Sequence, residues 1–250
     1  MEIINIKNLN FGYDRVKILK DVNLKIYKND FVSIKGNNGS GKSTLLKLII
    51  GQLKNYDGEI TIFGEDIKTF RNWNKIGYVP QIDRDNITNF PISVKEMILL
   101  NLYYDFNFFN LPSKKHYKAV DDIIKTFHLD SFKNKNFNEL SGGQKQRVMI
   151  AKAMVHDPEL LIFDEPTVGI DKESKENFFN LIEHLHKEHD ITIILVTHES
   201  SLENKNYIRH LEIKDGEIEE YVWVCIYEKS FYCRNFYIYY YSNDWDGCSK

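Results

Sequence analysis

Apolar residues along this chain follow two spacings, which together predict both strands and helices. Asn23-Leu24-Lys25-Ile26 alternates polar and apolar positions, as a half-buried antiparallel strand does. The runs 160–163 and 191–196 are apolar almost throughout, which is typical of strands buried on both faces of a parallel sheet. Helical spacing fills much of the chain between these runs, so the pattern predicts an α/β fold.

Caps and breaks set the bounds of the predicted elements. We expect strands at 2–11, 22–35, 59–63, 76–79, 160–163 and 191–196, and a hairpin at 211–221 that turns at Asp215-Gly216. We expect helices at 42–50, 93–129, 141–156 and 171–189. Ser93 and Glu96 form a capping box at the start of the second of these. The early antiparallel strands and the mid-chain helices are predicted additions to a core with a mainly parallel sheet.

A phosphate-binding loop follows the strand that ends near residue 35. The stretch matches the pattern G-x-x-x-x-G-K-[ST] and lies between a predicted strand and a predicted helix. Such a loop turns its N–H groups toward phosphate oxygens, and the helix N-terminus adds positive potential. We expect Lys42 to reach the β- and γ-phosphates and Ser43 to bind Mg²⁺. The residues of the loop are Gly36, Asn37, Asn38, Gly39, Ser40, Gly41, Lys42, Ser43 and Thr44.

Two carboxylates, Asp164 and Glu165, end the buried strand 160–163. Ionised carboxylates there are costly unless something compensates them, and Mg²⁺ held by Asp164 and Ser43 would do so. Glu165 could then orient and polarise an attacking water.

A second anion-binding turn begins a later helix, at Leu140-Ser141-Gly142-Gly143-Gln144. One loop already cradles a phosphate chain within the subunit. We therefore expect Ser141, Gly142, Gly143 and Gln144 to meet the γ-phosphate of a nucleotide bound by another subunit.

With these motifs in this order, residues 2–220 resemble the ATP-binding subunit of ABC transporters. The matching motifs are the phosphate loop 36–44, the glutamine loop Tyr78-Val79-Pro80-Gln81, the signature Leu140–Gln144 with Lys145-Gln146-Arg147, the strand 160–164 with Glu165, Gly169-Ile170-Asp171, and Val196-Thr197-His198. The resemblance implies a P-loop NTPase core with an antiparallel β subdomain and a helical subdomain at about 90–155.

The resemblance also implies roles for single residues. Tyr13 would stack on adenine, Gln81 would sense Mg²⁺ and the attacking water, and His198 would contact the γ-phosphate. Asp171 would cross the interface of a homodimer that sandwiches two ATP molecules. Glu165, His198, Gln81 and Lys42 are thus the expected catalytic residues, and Ser43, Gln81 and Asp164 are the expected Mg²⁺ ligands.

Partners and location follow from the same resemblance. We expect ATP and Mg²⁺ as cofactors, an integral membrane permease as partner and, indirectly, an extracytoplasmic solute-binding protein. The chain would lie peripherally on the cytoplasmic face of the membrane. It has no run of about 18 uncharged apolar residues and no signal-peptide pattern at its N-terminus. Its net charge of −3 gives no reason to expect nucleic acid as a partner.

The cargo is indicated by two short stretches. Phe90-Pro91-Ile92-Ser93-Val94 and Gly169-Ile170-Asp171 are similar to the branch that imports zinc, manganese or iron. An importer of an iron chelate, cobalamin or another solute is the alternative, and a soluble assembly-factor ATPase without a permease is another. ATPase domains of the DNA-repair and condensin type are excluded because only 60 positions separate Gln81 from Ser141, too few for the long coiled coil that those domains insert there. Ribosome factors carry two such domains, and 250 residues hold one.

Three histidines, His184, His186 and His189, invite a metal-sensor interpretation. Their spacing does not place them on one tight helical face, so we interpret them as part of a solvated helix surface.

The last thirty residues differ in composition from the rest. From Tyr221 to Lys250, 11 of 30 residues are aromatic, against 23 of the preceding 220, and all three cysteines (225, 233 and 248) lie there. The family pattern ends at about Tyr221, so we predict an atypical tail at 221–250. It could contact membrane or permease, act as a cysteine-based regulatory arm, or be a non-homologous end made by a frameshift or misplaced stop, which we favour.

Overall fold

A computed structural model describes residues 1–14, 16–81, 91–106, 111–199, 202–203, 205–224 and 237–241. The strands are β1 (Glu2–Tyr13), β2 (Val16–Tyr27), β3 (Phe31–Gly36), β4 (Asp57–Ile62), β5 (Glu65–Asp66), β6 (Ile76–Val79), β7 (Leu160–Asp164), β8 (Thr192–Val196), β9 (Ile208–Lys214), β10 (Glu217–Val224) and β11 (Tyr237–Tyr241). The helices are α1 (Lys42–Ile49), α2 (Val94–Leu99), α3 (Lys114–Thr126), α4 (Gly142–Met154) and α5 (Lys172–His189). Short 3₁₀ turns lie at Trp73–Lys75, Leu100–Asp105 and Phe137–Glu139.

The chain divides into two compact units. Unit 1 contains residues 1–70 and 194–250, and unit 2 contains residues 71–193. The boundary falls inside β8.

Unit 1 contains an antiparallel sheet with the strand order β2-β1-β4-β5. Ile4 pairs with Ile26 on one side and with Ile62 on the other, and all three side chains are fully buried. The predicted stretch 22–35 is two strands, because Asn29 has a φ of 64° and the Asp30 N–H donates to the Tyr27 carbonyl at 3.1 Å. This tight turn ends β2 and redirects the chain into β3.

A second set of strands in unit 1 leads to the phosphate loop. β3 runs parallel to β9, from the pair Phe31 and Ile208 to the pair Gly36 and Ile213. The predicted hairpin is confirmed, since β9 and β10 are antiparallel and turn at Asp215 and Gly216, whose φ values are 52° and 89°. A glycine suits the second of these left-handed positions. β11 pairs antiparallel with β10, and residues 225–236 and 242–250 lie outside the described residues.

Unit 2 contains the parallel pair β6 and β7 and the helices α2 to α5. The burial predicted for the apolar run 160–163 is confirmed, and Asp164, the last residue of β7, is buried as well. The capping box is confirmed: the Ser93 N–H donates to Glu96 at 2.8 Å, and the Glu96 N–H donates to the Ser93 hydroxyl at 3.2 Å. The prediction of one helix over 93–129 is wrong: α2 ends at Leu99, a 3₁₀ turn follows to Asp105, the backbone is extended at Phe106, and Ser113 caps the separate helix α3.

The predicted α/β class with parallel and antiparallel sheet portions is confirmed by these pairings. The helical subdomain at 90–155 and the separate tail at 221–250 stay predictions. Among the described helices, none has the length and apolar character needed to cross a lipid bilayer.

Candidate functional site

The phosphate loop of unit 1 connects the end of β3 to the start of α1. Gly39 and Gly41 have φ values of 81° and 107°, a backbone conformation that residues with a Cβ rarely adopt. Gly36 is also closely packed: a Cβ there would lie 2.6 Å from both the Ile213 carbonyl oxygen and the Ser40 hydroxyl oxygen. The loop therefore needs its glycines for both conformation and space.

Lys42 is held inside this loop. Its side chain is buried, with the residue 5% exposed, and its Nζ donates to the carbonyls of Gly36 at 2.8 Å and Asn37 at 3.0 Å. Burial of an ammonium group costs free energy unless oxygen atoms compensate it. The loop thus places a cation at its centre, at the first residue of α1.

Two features of the loop fit a bound phosphate chain. Gly41 gives α1 no side-chain cap, and the N–H groups of a helix's first turn have no acceptor inside the helix. The Ser40 hydroxyl is buried and has no hydrogen-bond partner among the described residues. An anion would supply acceptors for such groups. The geometry therefore fits the predicted binding of ATP phosphates by residues 36–44.

Tyr13 and His198 also belong to unit 1. Tyr13 ends β1 with 47% of its surface exposed, and its ring packs edge-to-face on Phe11 at 5.0 Å. His198 is exposed and follows β8. The Thr197 N–H beside it donates to the carbonyl of Ile34 in β3 at 3.3 Å. His198 is thus placed next to the strand that leads into the phosphate loop.

In unit 2, Asp164 closes the buried strand β7 and is 5% exposed. The Tyr78 hydroxyl, on the neighbouring strand β6, lies 3.5 Å from its carboxylate. Burial, together with the charge of Asp164, raises the pKa of Tyr78 to about 12, so the phenol stays protonated and can donate. Sequence reasoning placed Tyr78 in a motif but gave it no part in the site.

Glu165 is held in an unusual backbone conformation. Its φ is 46°, in the left-handed region that is unfavourable for a residue with a side chain. The next residue, Pro166, accepts a hydrogen bond from the side-chain amide of Gln146 at 2.8 Å.

Gln81 lies two residues beyond β6 and is exposed. Residues 82–90, which include part of the stretch used to predict the cargo, lie outside the described residues.

The predicted signature turn begins α4 with a capping box. The Ser141 N–H donates to the Gln144 side chain at 3.0 Å, and the Gln144 N–H donates to the Ser141 hydroxyl at 3.3 Å. The Ser141 N–H is therefore already hydrogen-bonded to the Gln144 side chain. The Ser141 hydroxyl accepts a hydrogen bond through its oxygen, so its O–H can still donate one to a ligand. Gly142 and Gly143 supply the other N–H groups of the turn.

The signature turn packs against the loop and helix that follow β7. A Cβ on Gly142 would lie 3.0 Å from Ile170, and one on Gly143 would lie 2.4 Å from the Ser174 hydroxyl. Asp171 caps α5 by accepting the Ser174 N–H at 2.9 Å, and this bond lowers the pKa of its carboxyl. Unit 2 thus brings together the signature turn, Asp171 and the segment that carries Asp164 and Glu165.

The histidines of α5 differ from the prediction. His184 and His189 are exposed, but His186 is 7% exposed and its Nδ1 lies 3.1 Å from the Ile191 carbonyl. The solvated-surface interpretation is therefore wrong for His186, which follows Ile182 by one turn onto the buried face. In the described part of the chain, no three His, Cys, Asp or Glu side chains form a group that could hold a metal ion.

Comparison with known proteins decides the family. The sequence profile described as "ABC transporter" matches residues 19–168. The chain belongs to the ABC transporter family. It is an ATP-binding subunit of this family and an ATPase.

Related ABC proteins cover most of the chain. The zinc uptake system ATP-binding protein ZurA of Listeria innocua is 39% identical over 226 residues, which is 88% of each chain. The high-affinity zinc uptake system ATP-binding protein ZnuC of Bacillus subtilis is 32% identical and spans 90% of this chain and 96% of its own. A solved ATP-binding cassette, a dimer in a post-hydrolysis state with ADP and Pi, superposes with a TM-score of 0.72 at 30% identity, over 86% of this chain and 96% of that one.

Proposed function

We propose that this chain is the ATP-hydrolysing subunit of an importer for a divalent transition metal, with zinc as its cargo. The proposal that the chain binds and hydrolyses ATP rests on the buried Lys42 inside a loop whose glycines have left-handed φ values. The buried Ser40 hydroxyl of the same loop has no hydrogen-bond partner among the described residues. The proposal that zinc is the transported ion is supported by the similarity to two ATP-binding proteins of zinc uptake systems.

Nucleotide binding uses residues of unit 1. The N–H groups of residues 36–44 surround the phosphates, and the Lys42 ammonium turns from the carbonyls of Gly36 and Asn37 to the β- and γ-phosphates. The exposed ring of Tyr13 stacks on adenine. Asn37, Asn38, Gly39 and Thr44 complete the loop around the phosphates.

Hydrolysis uses residues that can hold a metal and move a proton. Ser43, Gln81 and Asp164 offer hydroxyl, amide and carboxylate oxygens, which are the hard ligands that Mg²⁺ takes together with phosphates and water. When bound, Mg²⁺ neutralises charge that develops on the phosphates. Glu165 orients the attacking water and accepts its proton, and His198 donates to a γ-phosphate oxygen.

A second copy of the chain completes each site. The Ser141 O–H and the N–H groups of Gly142 and Gly143 meet the γ-phosphate held by the partner copy, with Gln144 fixing the turn. Asp171 lies at the interface. The result is a two-fold symmetric dimer that ATP closes and hydrolysis opens.

The permease contact is proposed at an apolar surface in the mid-chain helical stretch. We call it the aromatic patch, and its exposed members are Leu100, Tyr103 and Tyr104, of which the two tyrosine rings pack against each other with centroids 5.9 Å apart. Tyr104 is 96% exposed and Leu100 is 56% exposed. Clustered exposed apolar side chains mark protein interaction sites. Dimer closure would move this stretch against a membrane permease, to which an extracytoplasmic binding protein delivers the metal.

Uptake by cells tests the cargo. In the host organism, Glu165→Gln should abolish saturable Zn²⁺ uptake at low concentration and leave Mn²⁺ and ferric-chelate uptake unchanged. Glu217→Gln, which makes the same change on an exposed hairpin residue, is the control. Loss of Mn²⁺ or chelate uptake instead of Zn²⁺ uptake would contradict the cargo, and unchanged uptake of all three would contradict the importer.

A further inference from the structure

A buried hydrogen bond connects the signature helix to the segment that carries Glu165. Gln146, in the second turn of α4, is 2% exposed, and its side-chain Nε2 donates to the carbonyl of Pro166 at 2.8 Å. Pro166 is itself buried and directly follows Glu165. A buried carbonyl that loses its donor is left unsatisfied, so this bond constrains where residue 166 can lie.

The backbone at Glu165 needs such a constraint. Its φ of 46° is unfavourable for a residue with a Cβ, and strained positions of this kind persist only when the surrounding structure fixes them. A small change in this φ would swing the carboxylate away from its position, because the side chain projects from the same Cα. The bond from Gln146 acts one peptide away from that rotation.

The helix that carries Gln146 is also packed against the loop and helix that follow β7. Gly142 and Gly143 pack so closely on Ile170 and Ser174 that an added Cβ would come within 3.0 Å and 2.4 Å of them. Gln146 lies one turn beyond these glycines on α4. The signature turn, Gln146 and residues 165–174 are therefore packed together within unit 2.

We propose that Gln146 is a positioning residue that holds Glu165 in its catalytic orientation and transmits movement of the signature turn to it. The inference rests on the proposed role of Glu165 in activating water. When the partner copy's nucleotide draws Ser141 toward its γ-phosphate, α4 moves with the turn, and the bond to Pro166 carries that movement to the carboxylate of the same chain.

Gln146→Leu tests this, because leucine keeps most of the volume and removes the donor. In the purified full chain we expect kcat for ATP hydrolysis to fall about tenfold, while KM and equilibrium ATP binding stay unchanged. Asn101→Leu is the control, since it also removes a side-chain amide bond to a backbone carbonyl of α4, from Asn101 Nδ2 to Lys152 at 2.9 Å at the other end of the helix. Because this bond is only part-buried, the variant should lower the melting temperature no more than Gln146→Leu does, and it should leave kcat unchanged.

Gln146→Glu tests the hydrogen bond through the pH dependence of kcat, which a purely structural role in packing would not change. A neutral glutamic acid can donate its O–H to the Pro166 carbonyl, whereas the ionised form repels it. Burial favours the neutral form, so kcat relative to the wild type at the same pH should rise as the pH is lowered.

Each outcome decides the inference. Wild-type kcat in Gln146→Leu, an equal loss of kcat in Asn101→Leu, or a pH-independent ratio for Gln146→Glu would overturn the positioning role alone. A wild-type chain without ATPase activity would overturn the proposed function and this role with it.

Discussion

The close packing of Gly143 on α5 makes one substitution especially informative. Gly143 is the second residue of α4, and an alanine Cβ there would lie 2.4 Å from the Ser174 hydroxyl and 2.9 Å from the Ser174 Cβ. The second contact involves an atom fixed to the backbone, so rotating the serine side chain cannot relieve it. Gly143→Ala must therefore displace α4 from the start of α5.

The expected cost follows from two opposing effects. Overpacking of this kind costs about 1–3 kcal/mol, and replacing glycine by alanine in a helix returns up to about 1 kcal/mol. We expect a net destabilisation of about 1 kcal/mol, the middle of the first range less the second, and for a chain of this size that lowers the melting temperature by about 2–4 °C. ATPase activity should fall as well, because the signature turn moves with α4.

Thermal unfolding followed by circular dichroism measures this effect against two further variants. Gly142→Ala is the control, because the close contact of its Cβ would be with a side-chain methyl of Ile170 at 3.0 Å, which can move aside, while the Ile170 Cβ lies at 4.0 Å. Ser174→Gly removes both clashing atoms, so the double variant should recover about 1 kcal/mol relative to the sum of the single changes. Equal melting temperatures for the two alanine variants, or purely additive effects with Ser174→Gly, would refute the packing argument.

Three further predictions concern other parts of the molecule. The pKa of Tyr78 is raised to about 12 in the folded chain, so its contribution to stability is present below pH 10 and is lost between about pH 10 and pH 12. Urea unfolding of Tyr78→Phe should therefore show a smaller loss of unfolding free energy over that pH range than the wild type shows. An equal dependence of unfolding free energy on pH in the two proteins would contradict the burial argument. Tyr104→Ser with Leu100→Ser in the aromatic patch should reduce co-purification of the permease without changing thermal unfolding, and full recovery of permease would refute the docking surface. Truncation after Tyr221, which keeps its ring stacked on His210 at 5.7 Å, should leave ATP turnover unchanged, and lost turnover would show that the tail is needed.

Features encoded by a few neighbouring residues were predictable from the sequence. The Ser93–Glu96 capping box, the turn at Asp215-Gly216 and the strand–loop–helix around Lys42 each depend on local chemistry, and each is present in the structure. The bounds of the neighbouring strands differ from the predicted ones by a few residues, because strand pairing rather than local preference decides where a strand ends.

Features that depend on distant pairing were not predictable in this way. Tyr78 meets Asp164 only because β6 and β7 are neighbours, and Gln146 reaches Pro166 only because α4 packs beside the segment after β7. No single stretch of sequence contains either contact. Burial of His186, by contrast, could have been inferred from its spacing of four residues from Ile182. The roles of the candidate site residues toward ATP stay predictions.

The central claim is that Glu165 drives ATP hydrolysis at a site completed by a second copy of the chain. Phosphate release by purified Glu165→Gln, measured beside nucleotide binding and sedimentation, tests it most directly. We predict that turnover falls by about a hundredfold or more, that ATP still binds, and that ATP shifts the variant toward a dimer. Phosphate release at the wild-type rate, or a variant that stays monomeric with ATP bound, would contradict the account.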